Sequence, residues 1–292
     1  MKTIGIIALS GACEKEKVLQ AKAFLESKGF NVKLSKNIFD KCRYLAGSDE
    51  DKISELKNFF EDKSIDIIMC ARGGYGTIRL VENIDYDVIK RNPKIFCGFS
   101  DVTALLLMIY KKTGMITYHG PMATSDFALK ASDLNHILPE NEMTYSCFCN
   151  AIKNSEISYS GNKIYKSGDA EGILWGGNLA TVVSLCGLDF IPNKDFIFFT
   201  EDLNEPVYKI DKMFQQLINI KEFKAHCKAI ILGDFLDCGN NEWLNEYWLE
   251  LTNRLNIPIV GGFKITHNKN KITIPIGRLA QLEGLNINII KS

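Results

Sequence analysis

The chain has 292 residues, of which 46% are hydrophobic and 24% charged, a composition typical of a folded protein large enough for two domains. Its 35 basic and 35 acidic residues cancel to a formal net charge of zero, which removes the electrostatic drive for non-specific binding to nucleic acid or anionic membranes. No apolar stretch approaches the roughly 18 residues that span a bilayer, and no convincing signal-peptide cleavage site follows Met1–Leu9. We therefore predict a cytoplasmic protein without nucleic-acid or membrane partners, whose ligand is small or peptide-like.

The nine cysteines are an odd and scattered set without a CxxC pair. This pattern argues against a disulfide framework or a structural zinc site and suits a reducing compartment. Cys147 and Cys149 have a spacing that could ligate metal, but we interpret them as ordinary apolar side chains. We predict no metal and no organic cofactor.

The first 120 residues alternate short apolar runs with amphipathic stretches. This alternation is typical of βαβ units, so we predict an α/β fold that begins with a flavodoxin-like or Rossmann-like parallel-sheet domain. Loops that follow the strands of such a sheet are the expected functional positions. The predicted strands are Thr3–Leu9, Asn31–Leu34, Ile67–Cys70, Ile95–Gly98 and Ile116–His119, and the predicted helices are Glu14–Lys28, Lys52–Lys63, Ile78–Lys90 and Val102–Lys112.

The periodicity weakens between about Asn141 and Lys166, which indicates a connection between domains or a surface segment. We predict a first domain at residues 1–145, a connection at 146–167 and a smaller, mixed α/β C-terminal domain at 168–292. Its predicted strands are Phe196–Thr200, Ala229–Phe235 and Ile257–Val260, and its predicted helices are Tyr208–Ile218 and Trp243–Leu255.

Ser100 follows the apolar run Ile95–Gly98 and precedes the predicted helix Val102–Lys112. A hydroxyl at such a junction is exposed at the sheet edge, and the amides that open the helix can stabilise a developing oxyanion. The position resembles a nucleophile elbow without its second glycine, because residue 102 is valine. On this segment alone, however, a helix N-cap is the better explanation of Ser100.

A glycine-rich loop, Arg72-Gly73-Gly74-Tyr75-Gly76, follows the predicted strand Ile67–Cys70. Its backbone amides could approach an oxyanion or a phosphate closely. The loop is neither a Walker loop nor a dinucleotide-binding motif, and a tight strand-to-helix turn explains it equally well.

Carboxylates end the predicted strand Phe196–Thr200, where Glu201 and Asp202 are followed by Glu205. A carboxylate at a strand end can accept the N–H of a histidine and thereby leave the other ring nitrogen free as a base. Taken singly, these residues are better explained as turn residues whose negative charges stabilise the N-terminus of the following helix.

Two of the four histidines are candidate bases. His267 lies in a glycine-containing loop after a predicted strand, and His119 lies at a strand end and competes for the role. His136 and His226 have helical, polar surroundings and are interpreted as surface residues.

Further short motifs lie along the chain in this order: Tyr118-His119-Gly120-Pro121-Met122, Trp175-Gly176-Gly177-Asn178-Leu179, Glu205-Pro206 with Ile210-Asp211, and Ile274-Pro275-Ile276-Gly277 after His267. Together with Arg72–Gly76, Gly98–Asp101 and Glu201-Asp202, they resemble the LD-carboxypeptidase and microcin C self-immunity family of serine peptidases. The resemblance extends from about residue 3 to 280. Two positions depart from the family's usual motifs, Leu9 in place of proline and Thr266 in place of glycine.

The resemblance implies a catalytic triad in a cleft between the two domains, the second of which would be a swivelling β/β/α-like domain. It also implies that His119 is structural and supports its loop by hydrogen bonds, and that the protein is a homodimer. The residues implied for the triad are Ser100, Glu201 and His267, those for the oxyanion hole are the amides of Gly73 or Gly74 and of Asp101, and those for substrate contact are Arg72, Tyr75, Trp175 and Asn178.

The implied activity is hydrolysis of an L,D-amide bond that releases a C-terminal D-amino acid, such as D-alanine from cytoplasmic murein tetrapeptides during cell-wall recycling. A second interpretation is cleavage of a carboxamide that joins an amino acid to a nucleotide-like group. Trp175 could then stack on the base, although an aromatic residue before two glycines is at least as often a packing residue. A third, from another class, is a non-catalytic protein whose glycine loop binds an anion.

Overall fold

The computed structural model describes residues 1–130 and 139–291, and its backbone forms two β-sheets with helices packed against them. The strands are β1 (Thr3–Ile7), β2 (Asn31–Leu34), β3 (Ile67–Cys70), β4 (Ile95–Gly98), β5 (Thr117–His119), β6 (Ile157–Ser160), β7 (Lys163–Lys166), β8 (Ala170–Asn178), β9 (Phe196–Leu203), β10 (Cys227–Leu236), β11 (Ile259–Gly261), β12 (Ile274–Ile276), β13 (Leu279–Glu283) and β14 (Asn286–Ile289). The α-helices are α1 (Lys15–Ser27), α2 (Asp49–Glu61), α3 (Tyr86–Arg91), α4 (Thr103–Thr113), α5 (Ala123–Asp126), α6 (Pro139–Ile152), α7 (Leu179–Ser184), α8 (Val207–Ile218), α9 (Lys221–His226) and α10 (Asn241–Leu255).

The first sheet has the strand order β12-β5-β4-β3-β1-β2. Strands β1 to β5 are parallel, whereas β12 runs antiparallel to β5. Because βαβ crossovers cover both faces of such a sheet, its inner strands β1 and β3 are entirely buried, whereas the edge strand β2 contains exposed residues. The carboxyl ends of β3 and β4 lead into the glycine loop and into Ser100.

The predicted helix Ile78–Lys90 was wrong as one continuous element. The chain forms a short 3-10 helix at Thr77–Arg79 and, after a turn, helix α3. Asp85 causes the separate start, since its carboxylate accepts a hydrogen bond from the Val88 N–H at 3.0 Å and caps α3.

The second sheet has eight strands in the order β6-β14-β13-β8-β9-β10-β11-β7. Strands β8 to β11 form a parallel centre. The two strands that pair with its edges, β13 beside β8 and β7 beside β11, run antiparallel to it. Phe196, Phe198 and Phe199 of β9 are fully buried and anchor the core at this centre. The mixed α/β character and the parallel first sheet confirm the predicted fold class.

The strand pairing does not follow chain order at two places. Strand β12 of the C-terminal segment completes the first sheet, whereas β6 and β7 pair within the second. Helix α6 runs through residue 145. The predicted domain boundaries at residues 145 and 168 stay predictions.

None of the helices in the described ranges is long and apolar enough to cross a membrane. All nine cysteines are free thiols.

Candidate active site

Ser100 lies between β4 and α4, as the first residue of a single 3-10 turn, Ser100–Val102. Its backbone φ is +60°, a left-handed conformation that costs a non-glycine residue on the order of 1–3 kcal/mol. The N-cap position of the turn belongs to Phe99, and no side chain caps it. Helix capping therefore does not explain Ser100, whereas a strained strand-to-helix turn is the backbone of a nucleophile elbow.

The glycine loop packs directly against Ser100. A Cβ atom added to Gly73 would lie 3.1 Å from both Cβ and Oγ of Ser100, so glycine at this position leaves room for the Ser100 side chain. The Gly73 carbonyl accepts hydrogen bonds from Gly11 N at 3.3 Å and Arg72 Nε at 3.2 Å. Since the next peptide bond is trans, the Gly74 N–H points away from Gly11.

The Asp101 carboxylate holds the loop and the Ser100 turn together. It accepts hydrogen bonds from Ser10 Oγ at 2.5 Å and from Thr77 N at 3.0 Å. Asp101 as a whole is 7% exposed. Asp101 is therefore committed to structure through its side chain. Across the described ranges, the backbone N–H groups of Asp101 and Gly74 have no acceptor, so both remain available to a ligand.

His267 and Glu201 form a hydrogen-bonded pair, with His267 Nδ1 2.7 Å from Glu201 Oε2. Glu201 lies within β9, because this strand extends beyond the predicted Phe196–Thr200 to Leu203, and it has no exposed surface. A buried carboxylate that accepts from Nδ1–H fixes the tautomer whose Nε2 is a free acceptor. The imidazole side chain is 16% exposed, so this nitrogen is accessible to a small molecule.

Asp202 is adjacent to this pair but serves another purpose. Its carboxylate accepts hydrogen bonds from Asn178 Nδ2, Ala180 N and Leu203 N, at 2.8 to 2.9 Å. Burial, and secondarily the Glu201 carboxylate, raises the pKa of Asp202 to about 6, against the opposing effect of these three donors.

His119 is buried beside the pair without sharing its function. Its ring contacts Phe99 and Phe199, with centroids 6.1 and 5.2 Å away, and its Nε2 has no hydrogen-bond partner in the part of the chain that the structure describes. Burial, with smaller contributions from His267 and Lys271, lowers the pKa of His119 to about 3. The structure therefore shows His119 packed between aromatic rings. The hydrogen bonds by which it was predicted to support its loop are not formed by Nε2 within the described residues.

Two cavities meet at Ser100 and His267. The acidic cavity, about 320 Å³, is also lined by Gly74, Tyr75, Asn178, Asp202 and Glu205, and no Lys or Arg of the described ranges lines it. The arginine cavity, about 680 Å³, is also lined by Glu14, Lys17, Arg72, Gly73 and Met122. Lys17 pairs with Glu14 at 2.8 Å, whereas Arg72 forms no ion pair within the described residues and donates to the carbonyls of Gly73 and Ala12.

Three of the four predicted substrate contacts line these cavities. Arg72 lies in the arginine cavity, and Tyr75 and Asn178 lie in the acidic one. Asn178 is also the N-cap of α7, because its Oδ1 accepts from Thr181 N at 3.1 Å. The structure does not bring Trp175 to the site: its indole is fully buried among Phe190, Phe196, Phe198 and Phe223 and cannot stack on a ligand.

The sequence interpretation missed three polar residues beside the site. Ser10 anchors Asp101, while Lys271 and Asp126 form a buried ion pair next to Phe99. The one signal in the sequence was a lysine at the head of the apolar run Ile272–Ile276. Of the histidines interpreted as surface residues, His226 is partly exposed and pairs with Asp195, and His136 lies outside the described residues.

The site offers no metal-binding cluster. Across residues 1–130 and 139–291, no group of three or more His, Cys, Asp or Glu side chains could hold an ion. The chemistry available is that of a hydroxyl on a strained turn, a histidine oriented by a buried carboxylate and free amides at a helix start, which are the components of a serine hydrolase. Among the described residues, no hydrogen bond joins Ser100 Oγ to His267.

Comparison with known proteins agrees with that class. Residues 4–120 match the LD-carboxypeptidase N-terminal domain, and residues 171–282 match the LD-carboxypeptidase C-terminal domain. The chain belongs to the LD-carboxypeptidase family of serine peptidases, which confirms the resemblance found in the sequence.

Three of its relatives are named either as murein peptide carboxypeptidases or as MccF. The chain is 34% identical to a probable murein peptide carboxypeptidase of Bacillus subtilis strain 168, over 96% of this chain and 88% of that protein. It is similar in structure to a muramoyltetrapeptide carboxypeptidase from Oxalobacter formigenes, with TM-score 0.87, 28% identity and 99% of both chains covered. It is also similar to MccF in complex with glutamyl sulfamoyl guanosine, with TM-score 0.88, 26% identity, 100% of this chain and 96% of that chain covered.

Proposed function

We propose that the protein is a serine carboxypeptidase that hydrolyses an L,D-amide bond and releases a C-terminal D-amino acid from murein tetrapeptides. The observation that carries the proposal is the His267–Glu201 hydrogen bond at the point where both cavities reach Ser100. In this role, Ser100 is the nucleophile, His267 the general base and Glu201 the carboxylate that orients it.

The reaction follows from these roles. His267 Nε2 takes the proton of Ser100 Oγ as the oxygen bonds to the substrate carbonyl carbon. The C–N bond then breaks, and the imidazolium donates its proton to the leaving amine. Water, deprotonated by His267, attacks the acyl-serine, which frees Ser100 and the shortened peptide.

We assign the oxyanion hole to the amides of Asp101 and Gly74. Both N–H groups lack an acceptor in the part of the chain that the structure describes. The two hydrogen bonds to the Gly73 carbonyl fix that peptide plane, which favours Gly74 over Gly73 as the donor. Preorganised donors of this kind typically contribute about 10²–10³-fold to kcat each.

The charges of the two cavities favour a peptide over an acidic aminoacyl nucleotide. A C-terminal carboxylate suits the arginine cavity, where Arg72 is held by Gly73 O and Ala12 O. On the acyl side, Asp202 and Glu205 suit an ammonium group, such as the diamino acid of a murein peptide carries. Glu205 also pairs with Lys209 at 3.3 Å, so Asp202 is the carboxylate without a basic partner among the described residues. The same carboxylates would repel a glutamyl or aspartyl side chain, and the buried Trp175 offers no stacking surface for a base.

A paired assay tests this proposal. Purified protein is incubated separately with a murein tetrapeptide and with aspartyl sulfamoyl adenosine, and released D-alanine and released aspartate are measured. We expect turnover of the peptide with a kcat/KM at least about tenfold above that of the nucleotide. The reverse ranking would assign the chain to the microcin C immunity activity instead.

A serine reagent distinguishes an enzyme from a non-catalytic binding protein. We expect a fluorophosphonate to give a single adduct at Ser100, detected by mass spectrometry of the intact chain and its peptides. Absence of an adduct would favour the anion-binding interpretation.

A cytoplasmic location and a homodimer are also part of the proposal. Fractionation of the native host with antibody detection tests the first, and sedimentation equilibrium of the purified chain tests the second. A periplasmic protein, or a monomer at micromolar concentration, would contradict them.

A further inference from the structure

A buried ion pair lies next to the proposed catalytic residues without belonging to them. Lys271 Nζ is 2.5 Å from Asp126 Oδ1, and the two side chains are only 4% and 3% exposed. Burying two charges costs several kcal/mol each before their attraction offsets it, so such a pair is weak evidence for a role in stability alone. Its position suggests another use.

The Lys271 ammonium contacts the residue that precedes the nucleophile. It lies 3.9 Å from the centroid of the Phe99 ring, a cation–π contact shielded from water. The same ring packs against the imidazole of His267 at 5.0 Å with an interplanar angle of 70°. Phe99 is therefore held between a fixed cation and the proposed base.

The contact joins two parts of the fold. Phe99 connects β4 of the first sheet to Ser100, whereas His267 lies in the segment that crosses from β11 in the second sheet to β12 in the first. Lys271 lies near the end of that crossing segment and attaches it to α6, because its backbone N–H donates to Thr144 Oγ1 at 3.0 Å. The neighbouring Ile272 N–H donates to Lys264 O at 2.9 Å.

Asp126 is a rigid anchor for the ammonium. Its second carboxylate oxygen accepts from Met122 N at 2.8 Å, and its carbonyl accepts from Asn141 Nδ2 at 2.8 Å. The ammonium thus has one defined position, and the Phe99 ring and the loop that carries His267 are both arranged around it.

We propose that Lys271 is a positioning residue, whose ammonium, anchored by Asp126, sets the Phe99 ring and the His267 loop so that the imidazole faces Ser100. This inference rests on the proposed roles of Ser100 and His267. It predicts that the charge is needed for the reactivity of Ser100, and not only for folding.

The main variants are Lys271→Met, Lys271→Arg and the double variant Lys271→Met/Asp126→Leu. The double variant removes both buried charges and replaces them with apolar groups, which often restores stability that a single replacement loses. Lys111→Met is the matched control, since Lys111 is also largely buried and pairs with Asp189 at 2.8 Å, at the far end of α4.

The readouts are thermal unfolding, kcat and KM on the tetrapeptide, and the second-order rate constant for phosphonylation of Ser100. For Lys271→Met we expect kcat and the phosphonylation rate to fall together by about 10- to 100-fold, with KM changed by less than about threefold. The double variant should regain thermal stability but not rate, Lys271→Arg should regain part of the rate, and Lys111→Met should keep it.

Two results would overturn the inference. One is a double variant that recovers both stability and rate, because the pair would then be structural; the other is a folded Lys271→Met that phosphonylates as fast as wild type. Failure of the proposed catalytic roles gives a different result, since the wild-type chain itself would then form no adduct at Ser100. Failure of the proposed substrate class alone would lower tetrapeptide turnover in the wild-type chain and leave the comparison of phosphonylation rates unchanged.

Discussion

His267 Nδ1 lies 2.7 Å from Oε2 of Glu201, a carboxylate that has no exposed surface and whose second oxygen has no hydrogen-bond partner. Hydrogen bonding within the described residues therefore commits the Glu201 side chain to the imidazole alone, whereas that of Asp202 serves three donors at the start of α7. Glu201 and Asp202 are adjacent in β9 but have different partners, so Glu201 orients the imidazole and Asp202 accepts from groups at the start of α7.

Exchange of these carboxylates for amides should have unequal effects. Glu201→Gln keeps the shape but can present an N–H to Nδ1, which favours the wrong imidazole tautomer, so we expect kcat to fall by about 10²–10⁴-fold. Asp202→Asn should lower kcat less than about tenfold, because Asp202 does not contact the ring. Initial rates on a murein tetrapeptide measure both, and the opposite ranking would transfer the orienting role to Asp202.

Replacement of Ser100 by alanine should abolish turnover and leave folding intact. Ser100 Oγ caps no helix, so its loss removes the nucleophile with little structural cost. We expect kcat to drop by at least about 10³-fold. Ser184→Ala is the matched control, since Ser184 lines the same acidic cavity and, among the described residues, its hydroxyl donates only to Thr181 O. Residual activity of Ser100→Ala above a few per cent, with Ser184→Ala fully active, would exclude Ser100 as the nucleophile.

A methyl group at Gly73 should impair the reaction more than the fold. Its Cβ would lie 3.1 Å from Ser100 Oγ, a separation at which one of the two segments must shift by a few tenths of an ångström. Since catalysis depends on sub-ångström alignment, we expect Gly73→Ala to lose about 10²-fold in kcat/KM while its unfolding temperature changes by only a few degrees. Equal activity of Gly73→Ala and wild type would show that this contact is not critical.

The sequence predicted the parts of the site that depend on strand ends. Ser100 and the glycine loop each follow a buried strand of the first sheet, and parallel strands deliver the residues that follow them to one edge of a sheet. Glu201 follows the apolar residues Phe196–Thr200 but lies within β9 of the second sheet. That His267 and Glu201, 66 residues apart, form a pair was implied only by the family resemblance. No local periodicity encodes such a contact.

Other features depend on tertiary packing and were not visible in the sequence. The aromatic residue before Gly176 suggested a ligand platform, yet Trp175 points into the core because four phenylalanines surround it. The Lys271–Asp126 pair joins residues 145 apart in the chain, and a buried lysine resembles a surface lysine in sequence. The helix predicted at Ile78–Lys90 failed for a local reason, since capping by Asp85 outweighed the apolar periodicity.

Burial of neutral His119 should make stability depend on pH. The pKa of His119 in the folded chain is lowered to about 3 from 6.5, so the unfolded chain binds the extra proton first as the pH falls below 6.5. Stability is then lost between pH 6.5 and 3 at up to about 1.4 kcal/mol per pH unit. Relative to His119→Leu, the wild-type free energy of unfolding should decrease by about 2 kcal/mol between pH 7.5 and 5, as measured by urea titration. Parallel curves for the two proteins would contradict a buried, neutral His119.

The raised pKa of Asp202 predicts that affinity for a cationic peptide increases with pH. Because this pKa is about 6, Asp202 is mostly neutral at pH 5 and mostly ionised at pH 7, where its carboxylate attracts an ammonium group in the acidic cavity. Calorimetry with the inactive Ser100→Ala variant should show binding about five- to tenfold tighter at pH 7 than at pH 5. The same peptide with its ammonium group acetylated should show a much smaller change.

His267 and Glu205 also line this cavity, and Glu201 adjoins Asp202, so these groups act on the bound cation as well. The double variant Ser100→Ala/Asp202→Asn separates the two effects, because it keeps His267 and removes only the titrating carboxyl group. We expect the double variant to lose most of the pH dependence and to bind the cationic peptide at pH 7 about as weakly as the single variant does at pH 5. If both variants gained affinity equally between pH 5 and 7, another group in the cavity would be responsible, and the assignment of the ammonium to Asp202 would be wrong.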